Sequence, residues 1–321
     1  MSRRFPFPIP FGWFQVAYPE DLAPGEVTAR RYWGRDLVLW RDEGGEFHLQ
    51  DAFCPHLGAH LGVGGKVEGA ELECPFHGWR FDGEGACTKI PYSERVNRKA
   101  RLRTYPVIER NQMVMAWYHP QGEPPQWEIP ACEQVGDPAW SPFYRSEYVI
   151  DTVPQEMSEN GVDLAHFRYV HGTDTVAEVE RYDTEGPCSV MISKQSYVTP
   201  RGVTWGHIDV YNYGPGFSRV WFSGIVDALN IATTTPIDDE TTLVRFNFTV
   251  RKFDDERMTS SVADAFVKEI NKQIVEDRPI WEHKRYLPVP ALADTDGPFL
   301  KFRKWYAQFY AEPYEVPAGT V

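Results

Sequence analysis

The sequence predicts an α+β protein in two modules, an antiparallel-β module followed by a longer antiparallel sheet combined with one long helix. Three observations carry that prediction. Short apolar runs separated by Gly- and Asp-rich turns fill the first third. A stretch over residues 121–142, with Pro124, Pro125, Pro130 and Gly136, reads as a boundary. Beyond it, alternating runs lead into a proline-free segment with helical spacing. The modules are placed at residues 1–135 and 136–321, in keeping with two domains for 321 residues.

Residues 37–40 and 47–49 flank Asp42-Glu43-Gly44-Gly45 as a hairpin. Residues 107–108 and 113–117 bracket a turn over 109–112 in the same style. In the second module, residues 155–170 read as a helix, with Gly172 as its C-cap. Strands are expected near 188–198, 203–212, 217–227 and 229–235. Over 243–250, Val244, Phe246, Phe248 and Val250 alternate with Arg245, Asn247 and Thr249. That strand should pair with 229–235 across the turn at 236–240. A helix over 259–278 follows, with Val262, Phe266, Ile270 and Ile274 as its apolar stripe. Pro279 is expected to end or kink it.

The formal charge is −13, from 46 acidic and 33 basic side chains. That balance argues against nucleic acid or an anionic membrane surface as partner, because both need positive protein surface. No apolar run reaches the roughly 18 residues of a membrane-spanning helix. Near the start, Pro6, Pro8 and Pro10 break up what would be the apolar region of a secretory signal. The five cysteines are an odd number spread over the chain, which suits a reducing cytoplasm better than a disulfide framework. A cytoplasmic location is therefore expected, with any membrane association arising through an apolar substrate. Eleven tryptophans suggest deep apolar packing or a large apolar pocket.

The strongest chemical signal is Cys54-Pro55-His56 followed by Cys74-Pro75-Phe76-His77. Two cysteines and two histidines suit zinc or a Rieske [2Fe–2S] centre. Zinc fingers group cysteine with cysteine and histidine with histidine, whereas each loop here mixes the two types. In a Rieske centre the cysteines bind one iron and the histidines the other, so a mixed loop reaches both metals. Cys87, Cys132 and Cys188 lack partners at ligand spacing, and His60, four residues past His56, reads as a packing or solvent-facing residue.

A second constellation is Asp163-x2-His166-x4-His171, three residues beyond Asn160. Two histidines and one carboxylate with open positions form the non-haem iron(II) pattern. On a helix, His166 and His171 lie about 140° apart at roughly 3.6 residues per turn, so His171 must swing in from the helix end at Gly172. The carboxylate is either Asp163 or a distant residue. Asp277 is a candidate, since it extends the apolar stripe and a buried carboxylate needs a partner. A salt bridge would satisfy it equally. Glu276 falls on a more exposed side.

With both motifs in this order, the chain resembles the Rieske non-haem iron oxygenases. The resemblance implies a Rieske domain followed by a helix-grip catalytic domain. It implies Cys54, His56, Cys74 and His77 as [2Fe–2S] ligands and His166, His171 and Asp277 as ligands of a mononuclear Fe(II). It further implies Asp163 as a bridge that carries electrons from the cluster of a neighbouring subunit in a head-to-tail homotrimer, with Asn160 a further candidate for a catalytic contact. O2 would be the co-substrate. The stretches Cys54-Pro55-His56-Leu57-Gly58, Ile90-Pro91-Tyr92, Ile280-Trp281, Asp296-Gly297-Pro298 and Arg303-Lys304-Trp305-Tyr306 look like the clade of 3-ketosteroid 9α-hydroxylases and cholesterol 7-desaturases. This implies a hydrophobic, steroid- or sterol-like substrate and a monooxygenase reaction. Desaturation, oxidative demethylation and a smaller aromatic or alicyclic substrate are the alternatives on the same scaffold.

No GxGxxG follows a strand, so NAD(P)H and flavin are expected on a separate reductase, with or without a ferredoxin. Arg95, Arg98, Lys99, Arg101 and Arg103 form a basic run after the second cluster loop, suited to receiving an acidic donor. Trp205, Tyr211, Tyr213, Phe217, Trp221 and Phe222 are strand aromatics that would line a substrate pocket or fill the sheet core. A carrier made of a Rieske module and a non-catalytic lipid-binding domain is the competing class. It would lack the iron ligands.

Overall fold

The computed structural model describes residues 4–199, 202–224 and 226–312, with side chains left undescribed at 197–199. The chain folds as two compact units, Trp13–Glu128 and Met1–Gly12 with Ile129–Val321. Residues 4–12, grouped with the cluster module on sequence grounds, thus belong to the second unit. Phe11 shows why: its amide donates to the Phe309 carbonyl, and its ring meets Phe309 edge-on.

The first unit consists of short strands: β1 (Gly12–Ala17), β2 (Val27–Tyr32), β3 (Arg35–Arg41), β4 (Phe47–Asp51), β5 (Lys66–Glu68), β6 (Glu71–Glu73), β7 (Arg80–Asp82), β8 (Cys87–Lys89), β9 (Thr104–Tyr105), β10 (Val107–Arg110) and β11 (Met113–Tyr118). They form sheets ordered β1-β11-β10, β2-β3-β4-β9 and β5-β6-β7-β8. The expected hairpins are present. Strands β3 and β4 pair antiparallel with Trp40 opposite His48, and β10 pairs with β11. Asn111 and Gln112 both take positive φ at the tip of the second hairpin, the backbone of a two-residue turn that matches strand twist.

The second unit contains β12 (Tyr144–Ile150), α1 (Pro154–Glu159), α2 (Ala165–Tyr169), β13 (Glu178–Glu185), β14 (Cys188–Thr199), β15 (Gly202–Tyr213), β16 (Phe217–Ser223), β17 (Ala228–Pro236), β18 (Thr242–Val250), α3 (Glu256–His283) and α4 (Phe299–Tyr306). Its seven strands form one antiparallel sheet, ordered β12-β18-β17-β16-β15-β14-β13. Strands β17 and β18 pair from Ala228–Val250 to Pro236–Thr242, as the alternation predicts. The polar face of β18 is buried too. Arg245 pairs with Glu147, Asn247 donates to the Ile231 carbonyl, and Thr249 donates to the Ser141 carbonyl.

Helix α3 lies on the other face of the sheet. Ile274 and Trp281 pack with Ile150 and Val244, while Phe266 and Ile270 pack with Phe222 and Val250. Asp255 caps its start, accepting a hydrogen bond from the Arg257 amide. The helix does not end at Pro279 but runs on to His283. Burial of Trp281 just beyond the proline holds it in place, and Arg4 donates to the Trp281 and Glu282 carbonyls near its end.

The segment expected to be one helix over 155–170 is instead broken into α1, a 3-10 turn over Asn160–Val162, and α2. Asp163 is extended, at φ −89 and ψ 97. A physical cause is visible opposite it. Gly297 packs so closely on the Val162 carbonyl that even a Cβ would collide with it. A continuous helix would leave no room for that crossing.

Candidate functional site

In the first unit, two loops fold alike. The Gly58 amide bonds back to the Cys54 carbonyl at 2.9 Å, and the Gly78 amide to the Cys74 carbonyl at 3.0 Å. Both glycines have positive φ, +76 and +68, which the tight reversal requires. Each loop thereby turns its cysteine inward and presents its histidine alongside. Cys54 and Cys74 are buried, and the His56 and His77 rings lie 4.7 Å apart. Trp79 stacks on His56 at 4.4 Å, and its indole N–H donates to Tyr92.

Burial pushes the Cys54 thiol up to about 12, against a backbone hydrogen bond from His56. A free thiolate is therefore disfavoured, and a bound metal is what would ionise it. The buried Nδ1 of His77 has no hydrogen-bond partner among the described residues, as a ligand nitrogen aimed at a metal would. Asp42, Glu46 and His48 approach one another, but the hairpin turn explains them: Asp42 accepts from the Glu46 amide and contacts His48 at 3.3 Å.

In the second unit, the break after α1 and the early end of α2 bring three distant residues together. The His166 and His171 rings lie 5.1 Å apart at 81°. Asp277, on α3, is buried between them, with Oδ1 3.3 Å from His171 Nε2. Asn160 donates from Nδ2 to Asp277 Oδ2 at 3.1 Å and lies 3.1 Å from His166 Nε2. Both imidazoles are held from behind by Nδ1, His166 by the Asp163 carbonyl and His171 by Glu276 Oε2 at 2.9 Å. Each therefore turns Nε2 towards Asp277, a donor set suited to Fe(II). Asp163 points its carboxylate elsewhere, accepting from the His166 amide at 3.2 Å.

Burial lowers the pKa of His166, with Asp277 and Asp163 working against it. Burial also acts to lower that of His171, but hydrogen bonds to Asp277 and Glu276 outweigh it and hold the value above that of ordinary imidazole. The His171 hydrogen bond in turn holds Glu276 below the usual carboxylate range. Helical spacing places Glu276 on a more exposed side than Asp277. Its side chain is 29% exposed, yet it reaches His171. Only its position next to Asp277 could have flagged it.

A cavity of about 970 Å³, counting its open mouth, ends on these residues. Met157, Phe167, Ile208, Val210, Val220 and Phe246 line its apolar wall, and Ile270, Ile274 and Trp281 its helix side. Asn212, Ser218, Asn230, Thr234 and Gln273 add polar groups. Of the six strand aromatics, only Phe222 lines it. Trp205 is half-exposed, while Tyr211 and Trp221 line a separate concavity with Arg219. Strand alternation is the cause: Val210 and Asn212 face the cavity, so Tyr211 and Tyr213 face away.

A cluster that stores single electrons is useful beside a mononuclear iron that consumes them, and the class of protein needing both is the iron-dependent oxygenase. Comparison with known proteins identifies the family. Residues 12–106 match the Rieske [2Fe-2S] domain, and residues 116–310 match the 3-Ketosteroid 9alpha-hydroxylase C-terminal domain. A cholesterol 7-desaturase of Caenorhabditis elegans is 32% identical over 94% of this chain and 77% of its own length. The oxygenase component of a 3-ketosteroid-9-alpha-monooxygenase of Rhodococcus rhodochrous is 30% identical over 95% of this chain and 85% of its own. Among solved structures, dicamba monooxygenase bound to dicamba superposes with TM-score 0.69 at 22% identity, covering 93% of this chain and 96% of that one. NdmB of Pseudomonas putida CBB5 gives 0.73 at 20% identity, covering 92% and 89%. The chain belongs to the Rieske oxygenases whose catalytic domain is of the 3-ketosteroid 9α-hydroxylase type. It is an oxidoreductase, the terminal oxygenase of a multicomponent system. No helix among the described residues is long and apolar enough to cross a membrane.

Proposed function

We propose that the chain oxidises a steroid- or sterol-like substrate, using O2 and electrons delivered by a separate ferredoxin or flavin reductase. The observation that carries this reading is the largely apolar cavity ending on His166, His171 and Asp277. Its lining is mostly apolar, and its few polar side chains suit an apolar body bearing one or two oxygens. Relatives named for a ketosteroid and for cholesterol support the substrate class. Cys54, His56, Cys74 and His77 would hold the [2Fe–2S] cluster, and His166, His171 and Asp277 the Fe(II). When bound, these groups would supply single-electron storage and O2 activation.

The chain's own part is positioning. Asn160 ties His166 to Asp277, the apolar wall holds the substrate and excludes water, and Asp163 anchors the start of α2. For delivery of electrons we favour a head-to-tail homotrimer in which Asp163 faces the cluster histidines of a neighbouring subunit. Leu57, Phe76 and Tyr92 are all more than half exposed around those histidines and would form the apolar contact.

The decisive experiment is turnover against a panel of steroids and sterols with a surrogate reductase, with products identified by mass spectrometry. A hydroxylated or desaturated product is expected. Uncoupled peroxide with every member of the panel would overturn the substrate reading and point to a smaller aromatic or alicyclic substrate.

A further inference from the structure

We infer that Glu276 is a positioning residue for the mononuclear iron, holding His171 in the one tautomer and orientation that can ligate; this rests on the ligand assignment proposed above. The two histidines are supported unequally. His166 Nδ1 is held by a neutral peptide carbonyl, whereas His171 Nδ1 donates to a carboxylate at 2.9 Å. The His171 side chain is only 1% exposed, and Glu276 is the acceptor that its Nδ1 meets. Glu276 uses both of its carboxylate oxygens. Its Oε2 takes His171 while Oε1 lies 3.4 Å from Lys272 Nζ, one helical turn back on α3. Helix α3 therefore supplies a ligand and its supporting group from adjacent positions. Asp277 faces the site directly, and Glu276, about 100° around the helix, reaches it from behind His171.

The chemistry follows from tautomerism. A neutral imidazole carries one proton. With iron bound, the one proton would sit on Nδ1, where Glu276 accepts its hydrogen bond, and Nε2 would be free to ligate. Without Glu276, a buried N–H loses its acceptor, and moving the proton to Nε2 relieves that loss but removes the ligating lone pair. A carboxylate also makes the imidazole a stronger donor than a carbonyl does. Lys272 counters part of that charge, so the relay Lys272–Glu276–His171 sets how tightly the iron is held.

The test uses the full-length protein, reconstituted anaerobically with ferrous iron and titrated with a chromophoric chelator. Cluster absorption and far-UV circular dichroism report whether each variant is folded. Glu276→Ala should weaken iron binding about 10–100-fold. Glu276→Gln, which keeps an acceptor but not the charge, should fall between it and the unaltered protein. Lys272→Ala should leave iron bound at least as tightly as before. Wild-type affinity in Glu276→Ala, alongside loss of iron in His171→Ala, would overturn the inference and leave the ligand assignment standing. Retention of mononuclear iron by His171→Ala would overturn that assignment and the inference with it.

Discussion

Replacing Arg303 with alanine should cost about 3–5 kcal/mol of stability, the cost of leaving a buried charge without its partner. Arg303, on α4, grips Glu159 at the end of α1 with two parallel hydrogen bonds, Nε to Oε2 at 2.6 Å and Nη2 to Oε1 at 2.7 Å. A third nitrogen donates to the Leu287 carbonyl, and the guanidinium lies 4.5 Å over the Tyr286 ring. The Glu159 side chain is only 4% exposed, so water cannot take over when the guanidinium is removed. Urea unfolding followed by tryptophan fluorescence measures the loss, with cluster absorption reporting separately on the first unit. For a slope of about 2 kcal/mol per molar, the midpoint of the second unit should fall by roughly 2 M. Removing both partners as Glu159→Gln/Arg303→Met should recover most of it, because the penalty is the orphaned charge rather than the lost bond. A loss below about 1 kcal/mol in Arg303→Ala, or no recovery in the double variant, would refute this reasoning. The pair also bears on the site. Glu159 immediately precedes Asn160, whose amide links His166 to Asp277, so a loosened α1 should also release iron faster.

Gly297→Ala should destabilise the second unit by about 1–3 kcal/mol and speed iron loss, because its Cβ must displace the Val162 carbonyl beside Asp163; unfolding midpoint and iron content together check this. Glu156 is buried, and burial raises its pKa above the ordinary 4.5 despite the Lys284 ammonium, whose Nζ lies 2.6 Å from Oε2. A carboxyl that binds its proton more tightly when folded stabilises the fold below the unfolded value and loses that contribution as pH rises through the folded one. Glu156→Gln should therefore flatten the decline in unfolding midpoint from pH 4.5 upwards, and an unchanged slope would count against it. Arg95, Arg98 and Lys99 lie in an exposed loop and form no ion pair among the described residues, while Tyr92 at its start accepts from Trp79, which stacks on His56. Arg98→Glu/Lys99→Glu should slow cluster reduction by an acidic protein donor about tenfold or more at low salt, leave dithionite reduction unchanged, and weaken the salt dependence.

How far the site could be read in advance follows from where its geometry is set. The cluster loops are local: Cys54 to Gly58 and Cys74 to Gly78 close on their own backbone hydrogen bonds, so spacing alone exposes them. The proposed iron ligands are legible by type but not by arrangement. Periodicity makes 155–170 one helix because no residue within it forbids helix. What breaks it is the remote backbone of Gly297 lying on Val162, a contact that no local pattern reports. That break is also what makes the constellation workable. On an unbroken helix His166 and His171 would point about 140° apart, whereas here α2 stops at Tyr169 and His171 follows beyond its end, with Gly172 at φ +71. The same logic governs Pro279, which does not stop α3 because burial of Trp281 outweighs one missing hydrogen bond. It also governs the cavity. Alternation divides each strand into two faces, but only α3 covering one of them decides that Val210 and Val220, rather than Tyr211 and Trp221, meet the substrate space. Glu276 is the extreme case, joined to His171 across 105 residues by nothing but the packing of α3. Residues of a kind to bind iron carry a signature in their chemical type; those that would orient such ligands carry only a position, and position appears with the fold.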